Sequence, residues 1–194
     1  MSGTERIVIE GSGVVGGFGC GISDLSRALN GSVAPPGTLN VSTGSGPIEI
    51  PAFRADTSPL KEFVPARTLR RIDHFSRLAL LGGNLALADA GLAETEHHRL
   101  GVIIASGYGA SGATYAFLRS FINDGDICAS PTYFANSVHN SAAAHISIQL
   151  GSMGPNLTVT HFHLSVPSAL ATARLWLAEE RVQRVLFGAV DELS

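Results

Sequence analysis

The chemistry this chain could carry concentrates in the run Gly154-Pro155-Asn156-Leu157-Thr158-Val159-Thr160-His161-Phe162-His163-Leu164-Ser165. A short apolar strand, a sharp turn and the start of a helix make the layout of a nucleophile elbow, which presents a reactive side chain at a helix N-terminus. A thiol or hydroxyl belongs at such a turn, and this sequence puts His163 there. An imidazole titrates near neutral pH and can work as a general base or a transient acyl acceptor. It is a poor store for an acyl group, because a stable thioester needs sulfur.

Other reactive side chains make weaker patterns. His161 and His163 lie two apart, so in a continuing strand both rings would share one face, as a metal pair does. A site needs a third ligand, and His139 and His145, six apart, fall on different faces of their helix. No metal site is read. Cys20 and Cys128 match no metal or redox spacing. Only acidic Asp124 and Asp126 stand near Cys128, which argues for an inert thiol. Gly11-Ser12-Gly13-Val14-Val15-Gly16 matches the dinucleotide fingerprint. However, Gly17, Gly19 and Gly21 would break the helix that must come next, and Asn30 and Gly31 stand where an acidic residue is needed. It reads as a structural loop, and no cofactor is expected. Arg67, Arg70, Arg71, His74 and Arg77, with Lys61 nearby, form a basic cluster. It is either a solvated helix face tempered by Glu62 and Asp73 or a docking surface for an acidic partner.

The elements that must position these residues alternate between strand and helix. Strands are expected at 6–10, 100–105, 157–160 and 182–189, with an edge strand at 48–53 where Pro51 removes a ladder donor. Helices are expected from Ser23 or Asp24 through Leu29, over 75–90 with Gly91 ending it, over 113–123 ending at Asp124-Gly125, over 137–150, and from Pro167 to about residue 180. The Gly-, Pro- and Ser-rich stretch 32–47 reads as a loop. This alternation predicts an α/β layered fold with helices covering the sheet.

Composition narrows the partners. Hydrophobic residues make 45% of the 194 positions and charged residues 15%, so the chain is globular, and some apolar surface is expected to end in an interface. A net charge of −3 argues against nucleic acid as a partner, since phosphate contacts need a concentrated Lys/Arg surface. No secretory leader pattern opens the sequence. The apolar tract 78–92, interrupted by Gly82, Gly83, Asn84 and Asp89, is too short to cross a membrane. A soluble, cytoplasmic chain is expected, with 1–194 as one domain.

Several segments together resemble the β-ketoacyl synthases, in collinear order. They are the opening strand and loop at 6–21; Leu87-Ala88-Asp89-Ala90-Gly91-Leu92; the strand and glycine turn at 101–109; and Ser130-Pro131-Thr132-Tyr133-Phe134-Ala135-Asn136-Ser137-Val138-His139-Asn140-Ser141 with its alanines. Gly154-Pro155-Asn156 and Gly188-Ala189-Val190-Asp191-Glu192 match too. The chain is most similar to short synthase-like N-terminal domain proteins, some described as chain-length factors. The resemblance implies one half of a thiolase-like layered fold, a mixed sheet of about five strands covered by helices.

It also implies that the nucleophile, a Cys eight residues beyond the Gly-Pro proline, is here His163, flanked by His161 and Phe162, with Val166 where a Gly or Ala is usual. Active members draw further catalytic His or Asn residues from a second, homologous half that would begin about where Ser194 ends this sequence. The implied role is a catalytically degenerate subunit in fatty-acid or polyketide-type assembly, either shaping an acyl pocket or binding a carrier protein. His161, Phe162, His163, Phe134 and His139 are the candidate pocket residues. The implied partners are a second copy or a complete ketosynthase, and acyl carrier protein. Two other readings stay open: an acyltransferase or thioester hydrolase using His163, and the front half of a longer protein.

Overall fold

The computed structural model describes residues 6–32, 34–92, 94–123 and 125–193; Asp124, Ser194 and 1–5 lie outside the described residues. Residues 6–10 join no ladder, so the first expected strand is absent. Ile7, Val8 and Ile9 are 56%, 67% and 89% exposed. Their β-branched side chains suit a strand, but a strand needs a partner. This run is held instead by Glu10, which pairs with Arg184 at 2.8 Å.

The glycine-dense loop folds into a small antiparallel pair, β1 (Val15–Gly16) and β2 (Gly19–Cys20). Helix α1 (Ile22–Leu29) comes next, with Gly21 as its N-cap. Asp24 lies inside the first turn and accepts from the Cys20 amide at 3.0 Å. The stretch read as a loop then yields strand β3 (Gly37–Thr43), paired antiparallel with β4 (Gly46–Ala52). The expected loop is corrected by this pairing. Flanking Gly and Pro mask a Leu39/Val41 alternation that becomes a strand once Ile48 and Ile50 stand opposite.

Helix α2 (Ala66–Leu69) precedes α3 (His74–Ala90). Asp73 caps α3 through the Ser76 amide, and Gly91 ends it in the left-handed region at φ 61°, the usual pair of helix stops. Strand β5 (Gly101–Ser106) leads into α4 (Ser111–Ile122). Where one helix is expected over 137–150, there are two. Ser130 and Pro131 start α5 (Pro131–Ser137) early. Extended Val138 breaks it, and α6 (Ser141–Leu150) restarts the chain. Strand β6 (Asn156–Thr160), a tight 3₁₀ turn at Phe162–Leu164, α7 (Ser165–Ala178) and β7 (Val185–Ala189) complete the order.

The central sheet is parallel in the order β6-β5-β7. Every residue of β5 is buried, as its continuous apolar run requires. Alternate β5 side chains divide the core. Val102 and Ile104 pack with Phe75, Leu80 and Leu81 of α3 and Ala142, Ala143 and Ile146 of α6. Ile103 and Ala105 pack with Ala169, Ala173 and Trp176 of α7. The α/β layering holds. The expectation of one mixed sheet of about five strands is corrected: among the described residues three strands form a parallel sheet and the other four lie in separate antiparallel pairs.

On the outer side of α7, Val166, Leu170 and Leu175 are 41%, 49% and 51% exposed. Among the described residues no helix is long and apolar enough to cross a membrane.

Candidate functional site

Parallel strands end on the same side, and ligand crevices of α/β sheets form beyond their C-terminal ends. Ser106 of β5 stands in register with Thr160 of β6, so the turns that come after them, at 107–110 and 161–164, are neighbours. Tyr108 and Phe162 meet edge to face, with ring centroids 6.3 Å apart at 73°, a favoured geometry for aromatic pairs. Together with Gly107, His139 and Thr160 they line a cleft of about 340 Å³.

Both turns are pinned. The Asp191 carboxylate, just past β7, accepts from the Ser106 hydroxyl at 2.7 Å and from the Gly107 and Tyr108 amides at 2.9 and 3.0 Å. The Ser106 oxygen in turn accepts from the Gly109 amide at 2.7 Å. Gly109 has φ 68°, and a Cβ there would lie 3.1 Å from the His139 ring. Only glycine lets that imidazole approach. Across the cleft, Phe162 is held at φ 44°. That left-handed conformation costs a non-glycine residue roughly 1–2 kcal/mol. Buried Ser165 secures it: its hydroxyl accepts from the His161 amide and faces the Ser106 and Phe162 carbonyls, each at 2.8 Å.

Of the sequence-derived candidates, Phe162 and His139 line this cleft. His161 and His163 are exposed on the turn beside Phe162, and His163 directly follows the left-handed residue. Strand β6 stops at Thr160, so the two-residue alternation that would align both rings does not reach them. Phe134 lies elsewhere, packed on Phe117 at 5.2 Å. Among the described residues no group of three or more His, Cys, Asp or Glu could hold a metal. Sequence reasoning missed Tyr108, Thr160, Ser165 and Asp191. The glycine turn after a fully apolar strand signals Tyr108, whereas Asp191 stands in the matching segment 188–192 but nothing local ties it to Ser106, 85 residues away.

A second cleft, about 430 Å³, opens between α5 and α6. In its lining, Asn136 donates to the Arg71 carbonyl at 2.8 Å, and its Oδ1 meets His145 Nε2 at 3.1 Å. Burial pushes the His145 pKa down, against a smaller opposing pull from Asp73. Nearby, Lys61, Arg67, Arg70, Arg71 and His74 are exposed, while Arg77 turns inward to donate to the Leu69 carbonyl. Among the described residues the ion pairs join Arg27 to Asp24 and Arg184 to Glu10 and Glu96, and none draws on this cluster.

Glu192 is half-buried and accepts from the Gly112 amide at 3.0 Å. Burial raises its pKa, Asp73 adds to that, and the Gly112 amide, His74 and the Phe75 amide oppose it. The folded chain thus holds the proton more tightly than the unfolded one, and the ionised form costs stability once the pH exceeds the ordinary carboxylate range. Glu192→Gln keeps the acceptor and removes the charge. It is expected to raise the melting temperature near pH 7, with the gain shrinking by about pH 4, where Glu192 is itself protonated. Paired thermal melts at the two pH values check this.

Residues 41–194 match the family described as "Beta-ketoacyl synthase, N-terminal domain". The 3-oxoacyl-[acyl-carrier-protein] synthase 2 of Coxiella burnetii (strain RSA 493 / Nine Mile phase I) is 30% identical over 160 residues. That alignment covers 80% of this chain and 38% of the relative, so the chain spans well under half the relative's length. Among solved structures, the ishigamide ketosynthase/chain length factor aligns with a TM-score of 0.73 at 24% identity, over 96% of this chain and 53% of that one. A type II PKS acyl-carrier protein in complex with its ketosynthase aligns with a TM-score of 0.77 at 16% identity, over 97% and 51%. At these identities the two structures establish the thiolase-like ketosynthase fold.

Proposed function

The chain belongs to the β-ketoacyl synthase family through its N-terminal domain, and on that premise we propose that it is a catalytically degenerate, cytoplasmic ketosynthase-like subunit. It serves fatty-acid or polyketide-type chain assembly as a chain-length-factor-like partner. The observation that carries this reading is an imidazole, His163, directly after the strained residue of a well-pinned elbow. Condensation needs a thiolate to hold the acyl group and donors to stabilise the enolate and oxyanion. Neither Cys20, beside α1, nor Cys128, in an exposed turn, stands at the elbow.

The same reading gives the other surfaces roles. The Tyr108–Phe162 pair limits the acyl pocket. The apolar outer face of α7, including Leu170 and Leu175, packs against a second homologous half, whether supplied by a partner ketosynthase or by another copy. The exposed arginines at 67, 70 and 71 receive the acidic surface of an acyl carrier protein.

Incubation of the purified chain with acyl- and malonyl-carrier-protein thioesters is expected to give no condensation. Addition of a complete ketosynthase is expected to restore product, with His163→Ala leaving yield and chain length unchanged. Efficient condensation by the chain alone would refute the proposal. If His163→Ala abolished thioester turnover while the fold persisted, His163 would be the base or acyl acceptor of an acyltransferase or hydrolase instead.

A further inference from the structure

The β3–β4 hairpin takes no part in the cleft or in the outer face of α7. Its register pairs Leu39 with Ile50 and Val41 with Ile48 on one face, and Thr38 with Pro51 and Asn40 with Glu49 on the other. The apolar face is open: Ile48 and Ile50 are 47% and 39% exposed.

The two outer edges of the ribbon differ. Thr43 and Gly46 close a two-residue loop and therefore exchange hydrogen bonds. So do the pairs Val41–Ile48, Leu39–Ile50 and Gly37–Ala52. The alternate residues point their amides and carbonyls outward. On β4 these are Pro47, Glu49 and Pro51, so the edge offers a single N–H, that of Glu49. On β3 they are Thr38, Asn40 and Ser42, a complete row of donors and acceptors. Proteins protect free edges with prolines and charges, and β4 carries both. Strand β3 carries neither.

We propose that the outer edge of β3 docks on β3 of a second copy of this chain, forming a continuous four-stranded antiparallel sheet. With a two-fold axis at Asn40, Asn40 faces the partner's Asn40 and Thr38 faces the partner's Ser42. All three resulting pairs have the outward parity, so each exchanges two hydrogen bonds. In that register Leu39 lies beside the partner's Val41, joining the two apolar stripes into one. No charged side chain sits on β3, so like strands approach the axis without repulsion. Pro35 and Pro36 end the pairing upstream of Gly37, and the proline-blocked β4 edges end it on both flanks. The assembly closes at two chains and does not propagate into a fibre. Seven residues per strand bury less than a standard interface, which makes the association weak and concentration-dependent.

The β3 interface is separate from the proposed role of α7, and the test keeps them apart by using the full chain carrying Leu170→Asp, which removes apolar association through α7. In that background Asn40→Pro, which deletes the axial donor, is expected to raise the dimerisation midpoint at least tenfold by sedimentation. Glu49→Pro, on the opposite edge, is expected to leave it unchanged. Neither amide bonds within the hairpin, so both variants fold alike. In a second arm, with Cys128→Ser to remove the exposed thiol, Asn40→Cys under mild oxidation is expected to give at least ten times more disulfide-linked dimer than Glu49→Cys. Equal cross-linking at the two positions, or a midpoint that Asn40→Pro does not move, overturns the proposal.

Discussion

Gly13→Ala is expected to destabilise the fold by about 3 kcal/mol, near the upper range for overpacking a close contact. A Cβ on Gly13 would lie 2.1 Å from the Gly82 carbonyl oxygen and 2.6 Å from the Ala86 amide nitrogen. Both are backbone atoms of α3 and cannot rotate aside, so the loop must lift off the helix. Gly11 presses on the same helix, 2.4 Å from the Ala90 nitrogen by the same measure. These contacts account for glycines that resemble a dinucleotide fingerprint. They let one backbone lie against another, and Gly13 leads into the β1–β2 pair. Thermal melts should show a fall of roughly 6–12 °C, taking about 2–4 °C per kcal/mol for a chain of this size. Gly37→Ala is the control, since its nearest neighbour would lie at an ordinary 3.8 Å, and it should shift little. A Gly13→Ala variant that melts with the wild type would mean that α3 does not press on this loop.

The second large effect concerns the basic cluster. If the cluster is the proposed carrier-protein surface, Arg70→Glu combined with Arg71→Glu is expected to weaken binding to an acidic acyl carrier protein about 100-fold, equivalent to roughly 2.7 kcal/mol. Both side chains are exposed and free of ion pairs among the described residues, so their charge is available to a partner. Only the backbone carbonyl of Arg71 holds Asn136, so the substitution leaves that buried bond intact. Most of the loss should appear in the association rate and should diminish at high salt, where screening already weakens the attraction. Surface plasmon resonance at two ionic strengths measures both. Arg184→Ala serves as control, because it breaks pairs to Glu10 and Glu96 outside the cluster. Unchanged affinity in the double variant would mark the cluster as a solvated face.

Some of this architecture was readable without coordinates. The run 100–105 reads as a strand covered on both faces, and β5 is buried at every position. The periodicity of 75–90 and the glycine after it read as a helix and its stop, and α3 ends at Gly91 with φ 61°. Such features are legible because burial and capping are recorded residue by residue, within a few positions of one another. The failures have the opposite character. Residues 6–10 have strand propensity but no pairing partner, while β3 lacks a clear signal and acquires one from β4. The split between α5 and α6 turns on the backbone at Val138 and on a cap upstream of the region that looked helical.

The elbow divides along the same line. Amino-acid order alone settled that the central strands are separated by helices, that 154–165 turns sharply, and that imidazoles occupy the turn. Only folding decided that Phe162 takes the left-handed conformation, that Tyr108 meets it edge to face, and that Asp191 pins the facing loop. A side chain's type and its neighbours along the chain are local properties. Which groups meet across a parallel sheet depends instead on the order in which distant strands associate, and that order is a property of the whole core.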